Sequence, residues 1–282
     1  MANLYESLIH KIYQKASFSR IFEEALYDKI VEKTIKIPVY LSAGQEYISA
    51  TLATYYDDIL PMDRQIFIQH RGHSTYLSFG GNIENLINEL LGNKTKSTNG
   101  MTGSASIHSI ESNIFGHDGL MGSHGPISVG MCFANKKPTF CFIGDAAAEE
   151  DYFIAALGWA STKNLPIIFI VEDNNYSILT EKIIRRNWNI DDVAKGFKIE
   201  SYNIIDEPKE IIKVLHKKIN SPMLLNINTT RLFWHSGAGV DNEDEFDRHK
   251  VIKSELGKDI TEKIDSFNLK LITDAWKKCL NN

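Results

Sequence analysis

The sequence predicts an α/β fold: an open, mostly parallel sheet with helices on both faces and a helical N-terminal extension. Three observations carry this. The short apolar runs 139–143, 166–171, 198–204 and 223–227 alternate with stretches of helical character, the pattern of parallel strands joined by helical crossovers. Leu4, Leu8, Ile12, Ile21, Leu26 and Ile30 recur at helical spacing before Pro38, which predicts one or two amphipathic helices over 4–35. With 282 residues and 43% apolar side chains the chain has material for one large core, so a single domain over 1–282 is expected, with a helical segment at 1–36 and helices over 244–282.

Taken in order, 45–55 reads as a second helix and 65–68 as a further strand. The segment 100–130 is rich in glycine and without periodicity, and a loop of that length in a compact domain is usually functional. The stretch around 150–162 reads as the crossover helix between strands 139–143 and 166–171. The acidic runs 149–151 and 241–247 read as solvated first turns, favourable to a helix dipole.

Bulk properties exclude several classes of function. Thirty-one basic residues against 36 acidic ones give a net charge of −5, and no basic block runs along the chain, so nucleic acid is not an expected partner. No apolar run approaches the roughly 20 residues that span a bilayer, so no membrane association and a cytoplasmic location are expected. Cys132, Cys141 and Cys279 fit neither a zinc cluster nor a disulfide framework and read as reduced packing residues.

The chemistry concentrates where strands end. Strand 139–143 runs into Gly144-Asp145 and strand 166–171 into Glu172-Asp173-Asn174-Asn175-Tyr176. Two parallel strands joined by one crossover place their carboxyl ends side by side, so Asp145 and Asn174 converge although 29 positions separate them. A carboxylate, an amide oxygen and a backbone carbonyl form an all-oxygen site suited to Mg²⁺ completed by phosphate and water. Gly144 permits the tight turn that lets following N–H groups face phosphate. Arg71, just after strand 65–68, offers a planar fork for phosphate. His235 follows the last strand on a glycine-containing loop, again at the carboxyl edge, and a histidine there can stabilise or protonate an oxyanion.

Gly144-Asp145 followed by Asn174-Asn175 after an apolar strand resembles the thiamine-diphosphate motif, and the surrounding text is similar to the α subunits of 2-oxo-acid dehydrogenase E1 components. Further matches follow in the family's order: Ala43-Gly44-Gln45-Glu46, His70-Arg71-Gly72-His73, Gly100 to Ser104, Gly119-Leu120-Met121-Gly122, and Arg231 to His235. The resemblance covers about residue 4 to 250 and implies the thiamine-diphosphate-binding fold, with thiamine diphosphate and Mg²⁺ as cofactors. It implies Asp145, Asn174 and the Tyr176 carbonyl as metal ligands. Arg71, Gly144, Asp145, Ala146 and Ala147 would lie about the diphosphate, Gly119 at the aminopyrimidine and Met121 beneath the thiazolium, with Arg231 and His235 of the active-site Arg-x-x-x-His ending also against the cofactor. His235, His73 and His124 are the catalytic candidates. The chain departs from the family at Ala146, where a second glycine is usual; a methyl group fits if φ is negative there.

In two-subunit members the glutamate that touches the pyrimidine belongs to a β-type subunit, and nothing in this sequence matches that second domain. The resemblance therefore implies an α₂β₂ assembly with a shared site, for which the apolar 100–131 region is the candidate interface. A lipoyl-carrier protein is a further candidate partner. The implied reaction is decarboxylation of a 2-oxo acid or transfer of the resulting acyl or aldehyde unit. Two other readings remain: the N-terminal half of a split transketolase, and a non-catalytic scaffold homologue.

Overall fold

The computed structural model describes residues 2–95, 98–216, 218–241 and 245–281. The described residues form eight strands: β1 (Gln65–Phe67), β2 (Ile114–Phe115), β3 (Thr139–Gly144), β4 (Ile167–Asp173), the hairpin β5 (Tyr176–Ser177) and β6 (Thr180–Glu181), β7 (Glu200–Ile205) and β8 (Met223–Asn228). The helices are α1 (Ala2–Val31), α2 (Glu46–Asp58), α3 (His73–Ser78), α4 (Ile83–Leu91), α5 (His124–Asn135), α6 (Asp151–Thr162), α7 (Lys182–Arg185), α8 (Ile190–Gly196), α9 (Pro208–Val214), α10 (Arg248–Leu256) and α11 (Lys258–Leu280). Six strands form one sheet in the order β2-β1-β3-β4-β8-β7, every neighbouring pair parallel.

The central strands are apolar on both faces because both faces are covered. Successive side chains point to opposite sides of a strand, and the core divides accordingly. Phe140, Phe142, Ile168, Ile170, Leu225 and Ile227 join the cluster that contains α1 and α2 residues, while Cys141, Ile143, Ile167, Phe169, Val171 and Leu224 join the cluster beneath α5, α6 and α8. All three cysteines are free and buried.

The predicted strands and helices appear with shifted ends. The 4–35 segment is a single unbroken helix, α1, against which α2 and α11 pack. β2 escaped the sequence reading: a two-residue strand inside a glycine-rich stretch has no periodicity to detect. Of the acidic run at 241–247, Asp247 stands at a helix start as expected but is not solvated. Asp247 is buried, caps α10 by accepting from the His249 N–H at 3.0 Å, and takes both Arg20 guanidinium nitrogens at 2.9 Å, while residues 242–244 lie outside the described part. Arg20 also reaches Glu46 at 2.6 Å, so one buried ionic network fastens α1, α2 and the start of α10. No helix among the described residues is long and apolar enough to cross a membrane.

Candidate functional site

The strand order reverses beside β3. From β1 the chain continues outward to β2, whereas from β3 it continues to β4 on the other side. In open α/β sheets the crevice beyond the carboxyl ends at such a reversal is where ligands bind. Here the residues after β1 (Gln69, His70, Arg71), after β3 (Asp145, Ala146, Ala147) and after β4 (Asn174, Tyr176) surround a cavity of about 260 Å³, closed by Tyr40, Met121 and His235.

Arg71 is almost fully buried. Its guanidinium donates to the Leu41 carbonyl at 2.9 Å and the His235 carbonyl at 3.1 Å, but no carboxylate among the described residues forms an ion pair with it. Burial, and then the nearby Arg231 charge, lower its pKa to about 10, so it remains cationic at neutral pH. A buried cation satisfied only by neutral carbonyls is a receptor for an anion.

Asp145 meets the guanidinium of Arg185. Burial, helped by the neighbouring Asp173 charge, raises its pKa to about 6. Burial likewise raises Glu172 to about 7, opposed by the hydrogen bond that Gln69 donates and by the Arg71 charge. Asn174 donates to Gln45 Oε1 at 3.1 Å and its own Oδ1 accepts from the Tyr176 N–H at 3.1 Å, which leaves that oxygen a second lone pair. The φ of Ala146 is −72°, so its β-carbon is accommodated without strain.

His235 is half-buried, and its Nδ1 lies 3.4 Å from the Arg71 guanidinium. Burial and then the Arg71 charge lower its pKa to about 4, so the ring is neutral at pH 7. Its ring stands edge-on to Tyr40 at 5.4 Å and tilted against His70 at 5.6 Å. The loop that carries it is stitched to the 39–44 segment: Leu232 N–H donates to the Ala43 carbonyl at 3.2 Å, Gly237 N–H to the Val39 carbonyl at 2.8 Å, and the Thr229 hydroxyl to the Gly44 carbonyl at 3.0 Å. Gly44 is required there, since its φ is +101° and a β-carbon would sit 2.2 Å from the Thr230 carbonyl oxygen.

The donor set suits a metal bound together with an anion. No cluster of three or more His, Cys, Asp or Glu that could hold a metal alone occurs among the described residues. Asp145, the Asn174 oxygen and the Tyr176 carbonyl supply too few ligands for a protein-only cage, which is the usual situation for Mg²⁺ completed by phosphate oxygens and water. Unpartnered buried nitrogens on His70, Arg185 and Arg186 add donor capacity around the same edge.

The dehydrogenase E1 component family matches residues 14–205, more than half of the chain. The chain belongs to that family. It is 26% identical over 235 residues to a pyruvate dehydrogenase E1 component subunit alpha-1 of Oryza sativa subsp. japonica, covering 79% of this chain and 59% of the relative. It is 30% identical over 176 residues to the alpha subunit of an acetoin:2,6-dichlorophenolindophenol oxidoreductase of Cupriavidus necator, covering 61% of this chain and 52% of the relative. The pyruvate dehydrogenase E1 component subunit alpha of Rickettsia prowazekii is 26% identical over 229 residues, covering 75% of this chain and 68% of the relative. The first two matches thus span only half to three-fifths of the relatives' length.

In this E1-family chain the structure gathers Arg71, Met121, Gly144, Asp145, Ala146, Ala147, Asn174, Tyr176 and His235 about one cavity. Four other expected residues fall elsewhere. His73 lies outside the cavity lining, with no exposed surface and both ring nitrogens engaged, by Glu23 and by the Ser104 hydroxyl, each at 2.9 Å, so it has no atom free for substrate. His124 is buried at the start of α5 with Nε2 on the Phe142 carbonyl at 2.6 Å, and does not reach the cavity. Gly119 is exposed with φ +100° and also lies off the lining. Arg231 lines an adjoining polar pocket instead, paired with Asp241.

His70 lines the cavity from within the expected His70-Arg71-Gly72-His73 turn, whereas Tyr40, Gln69 and Glu150 as lining residues, and Arg185 as the partner of Asp145, are not foreseen from the sequence. The sequence places Glu150 in the first turn of a helix, where its charge favours the dipole. It stands at the N-cap position of α6, without a side-chain capping hydrogen bond, where the helix meets the cavity, and no periodicity separates a glutamate that faces water there from one that faces a ligand.

Proposed function

We propose that this chain is the diphosphate-binding α-type subunit of a two-subunit thiamine-diphosphate-dependent enzyme. It would decarboxylate a 2-oxo acid, or transfer the acyl or aldehyde unit that results. The observation that carries the reading is the convergence of a carboxylate-free buried arginine, Arg71, with Asp145 and Asn174 at the strand-order reversal. Asp145, the Asn174 oxygen and the Tyr176 carbonyl would hold Mg²⁺, and Arg71 with the N–H groups after Gly144 would hold the diphosphate.

When bound, the cofactor supplies a thiazolium that bonds to a carbonyl carbon and holds the electron pair left behind when the neighbouring bond breaks. The protein's part is to bind, orient and exclude water. Met121 projects into the cavity as an adaptable apolar support. With Nδ1 turned to the Arg71 guanidinium, His235 carries its proton on Nε2 and presents it as a donor to a developing oxyanion. Diphosphate on Arg71 would offset the positive field that keeps the imidazole neutral, and would raise its proton affinity towards the range useful for proton transfer.

A β-type partner would cover the exposed side, where Met101, Ile110, Leu120 and Ile127 stand in solvent, and would supply the carboxylate for the pyrimidine in an α₂β₂ assembly. A lipoyl carrier would be the acceptor if the reaction is oxidative. Thermal unfolding of the native assembly tests the reading. At a hundredfold excess over its Kd, Mg-thiamine diphosphate should stabilise by about 2.7 kcal/mol, and no shift at millimolar cofactor would favour a scaffold role.

A further inference from the structure

Around the proposed metal position the chain carries its own cations. The four-residue helix α7 follows the β5–β6 hairpin and places Lys182 on Asp173 at 2.5 Å and Arg185 on Asp145. Lys182 and Arg185 stand three residues apart, one helical turn, so their side chains leave the same face. Two side-chain cations thus face two carboxylates that end adjacent strands, the same charge that one divalent ion would bring. The arrangement is incompletely satisfied. Nε and Nη1 of both Arg185 and Arg186 are buried without a hydrogen-bond partner, while Glu149 approaches the two guanidinium groups only at 3.4 and 3.5 Å.

We propose that Arg185 is a stand-in for the metal. It neutralises Asp145 in the cofactor-free chain, and a divalent cation arriving with its anionic ligand must displace it. The inference rests on the proposed function and adds the regulation of that site. Buried carboxylates without a counter-charge are strongly destabilising, and Arg185 removes that penalty before the cofactor arrives. The unpartnered nitrogens on Arg185 and Arg186 keep the held state from being fully bonded, so the exchange is open to a ligand that brings both a cation and acceptor oxygens. The released segment is 182–186, and its outer side is apolar, with Ile183 and Ile184 each more than 70% exposed. Trp188, over which the Arg186 guanidinium sits at 4.7 Å from the ring centre, is a built-in reporter of the exchange.

The test uses the full chain and two measurements. In metal-free buffer, Asp145→Asn should speed amide exchange across 182–186 and tryptic cleavage after Arg185 and Arg186; unchanged rates would mean that Asp145 does not hold the segment, and would overturn the proposal. Mg²⁺ is then titrated into the native assembly in the presence of thiamine diphosphate while the change in tryptophan emission, to which Trp188 contributes, is followed. Arg185→Gln should saturate at roughly fivefold lower Mg²⁺, the scale of one partly buried ion pair that no longer has to be broken, and Arg185→Lys should stay near the wild type. Equal or weaker Mg²⁺ binding by Arg185→Gln would overturn the proposal and make Arg185 a support of Asp145. Failure of every protein to saturate would overturn the cofactor reading, and the exchange with it, even where the metal-free measurement shows the Asp145 pairing.

Discussion

The two ends of the cavity are built on opposite principles. At the sheet edge Arg71 and Asp145 are buried, and their positions are set by strand ends and by hydrogen bonds within this chain. At the other end Met121 is 40% exposed and its neighbour Leu120 60%, on a loop that no strand fixes. An end that grips charge must exclude water and hold its dipoles in place before the ligand arrives, so it is made inside one rigid scaffold. An end that leaves large apolar side chains in water is finished by another surface.

The sharpest way to break the comparison is at the self-contained end. Asp145→Ala and Asn174→Ala are each expected to weaken Mg-thiamine diphosphate binding by about 10²-fold or more, with the fold retained. Titration calorimetry on the assembled enzyme checks this, and unchanged affinity in both variants would remove the metal from that edge. His235 lies between the two ends. His235→Ala should preserve cofactor affinity and lower turnover by roughly 10²-fold; full turnover at saturating substrate would make it a loop histidine held only by its neighbours.

The smallest expected effect measures what burial at the closed end costs. Glu172 is buried and its pKa is raised to about 7, above the ordinary carboxylate value, so the folded chain holds this proton more tightly than the unfolded chain does. Its contribution to stability is therefore fully present below the unfolded pKa and is lost as pH rises through 7. Glu172→Gln should raise stability at pH 8 by about 1–2 kcal/mol relative to its effect at pH 5. His124, His235 and His249, with pKa values lowered to about 4, act in the opposite sense: they favour the fold above pH 6.5, and that stability is lost as pH falls towards 4. The comparison of variant with wild type at each pH cancels their part. A difference in urea unfolding free energy that is the same at both pH values would show that Glu172 ionises without a burial penalty.

The sheet was legible because burial on both faces writes continuous apolar runs into β3, β4 and β8, and the ends of those runs located Asp145, Asn174 and His235. Helix α1 was legible from its spacing. What escaped depends on contacts distant in sequence. His73 stands two residues from Arg71, yet the first turn of α3 points it into a pocket made by Glu23 and Ser104, which spacing alone does not reveal. Tyr40 reaches the cavity, and Arg185 reaches Asp145, from segments without a motif, Arg185 from a four-residue helix too short to show periodicity. Ala146 was ambiguous until its φ was known.

The hydrogen bonds that join 39–44 to the His235 loop also bear on the order in which the molecule acquires its parts. Val39 and Gly237, or Ala43 and Leu232, are separated by nearly 200 residues and by the whole sheet in the chain. Closing so long a loop has a large entropic barrier and yields its contacts only once the intervening elements are in place. During synthesis the helices at the N-terminus and the strands through β4 can form while the 39–44 segment still waits for its partner. His235 therefore reaches its post only after the sheet, and a nascent chain halted short of residue 237 would display a nearly finished sheet with no functioning edge.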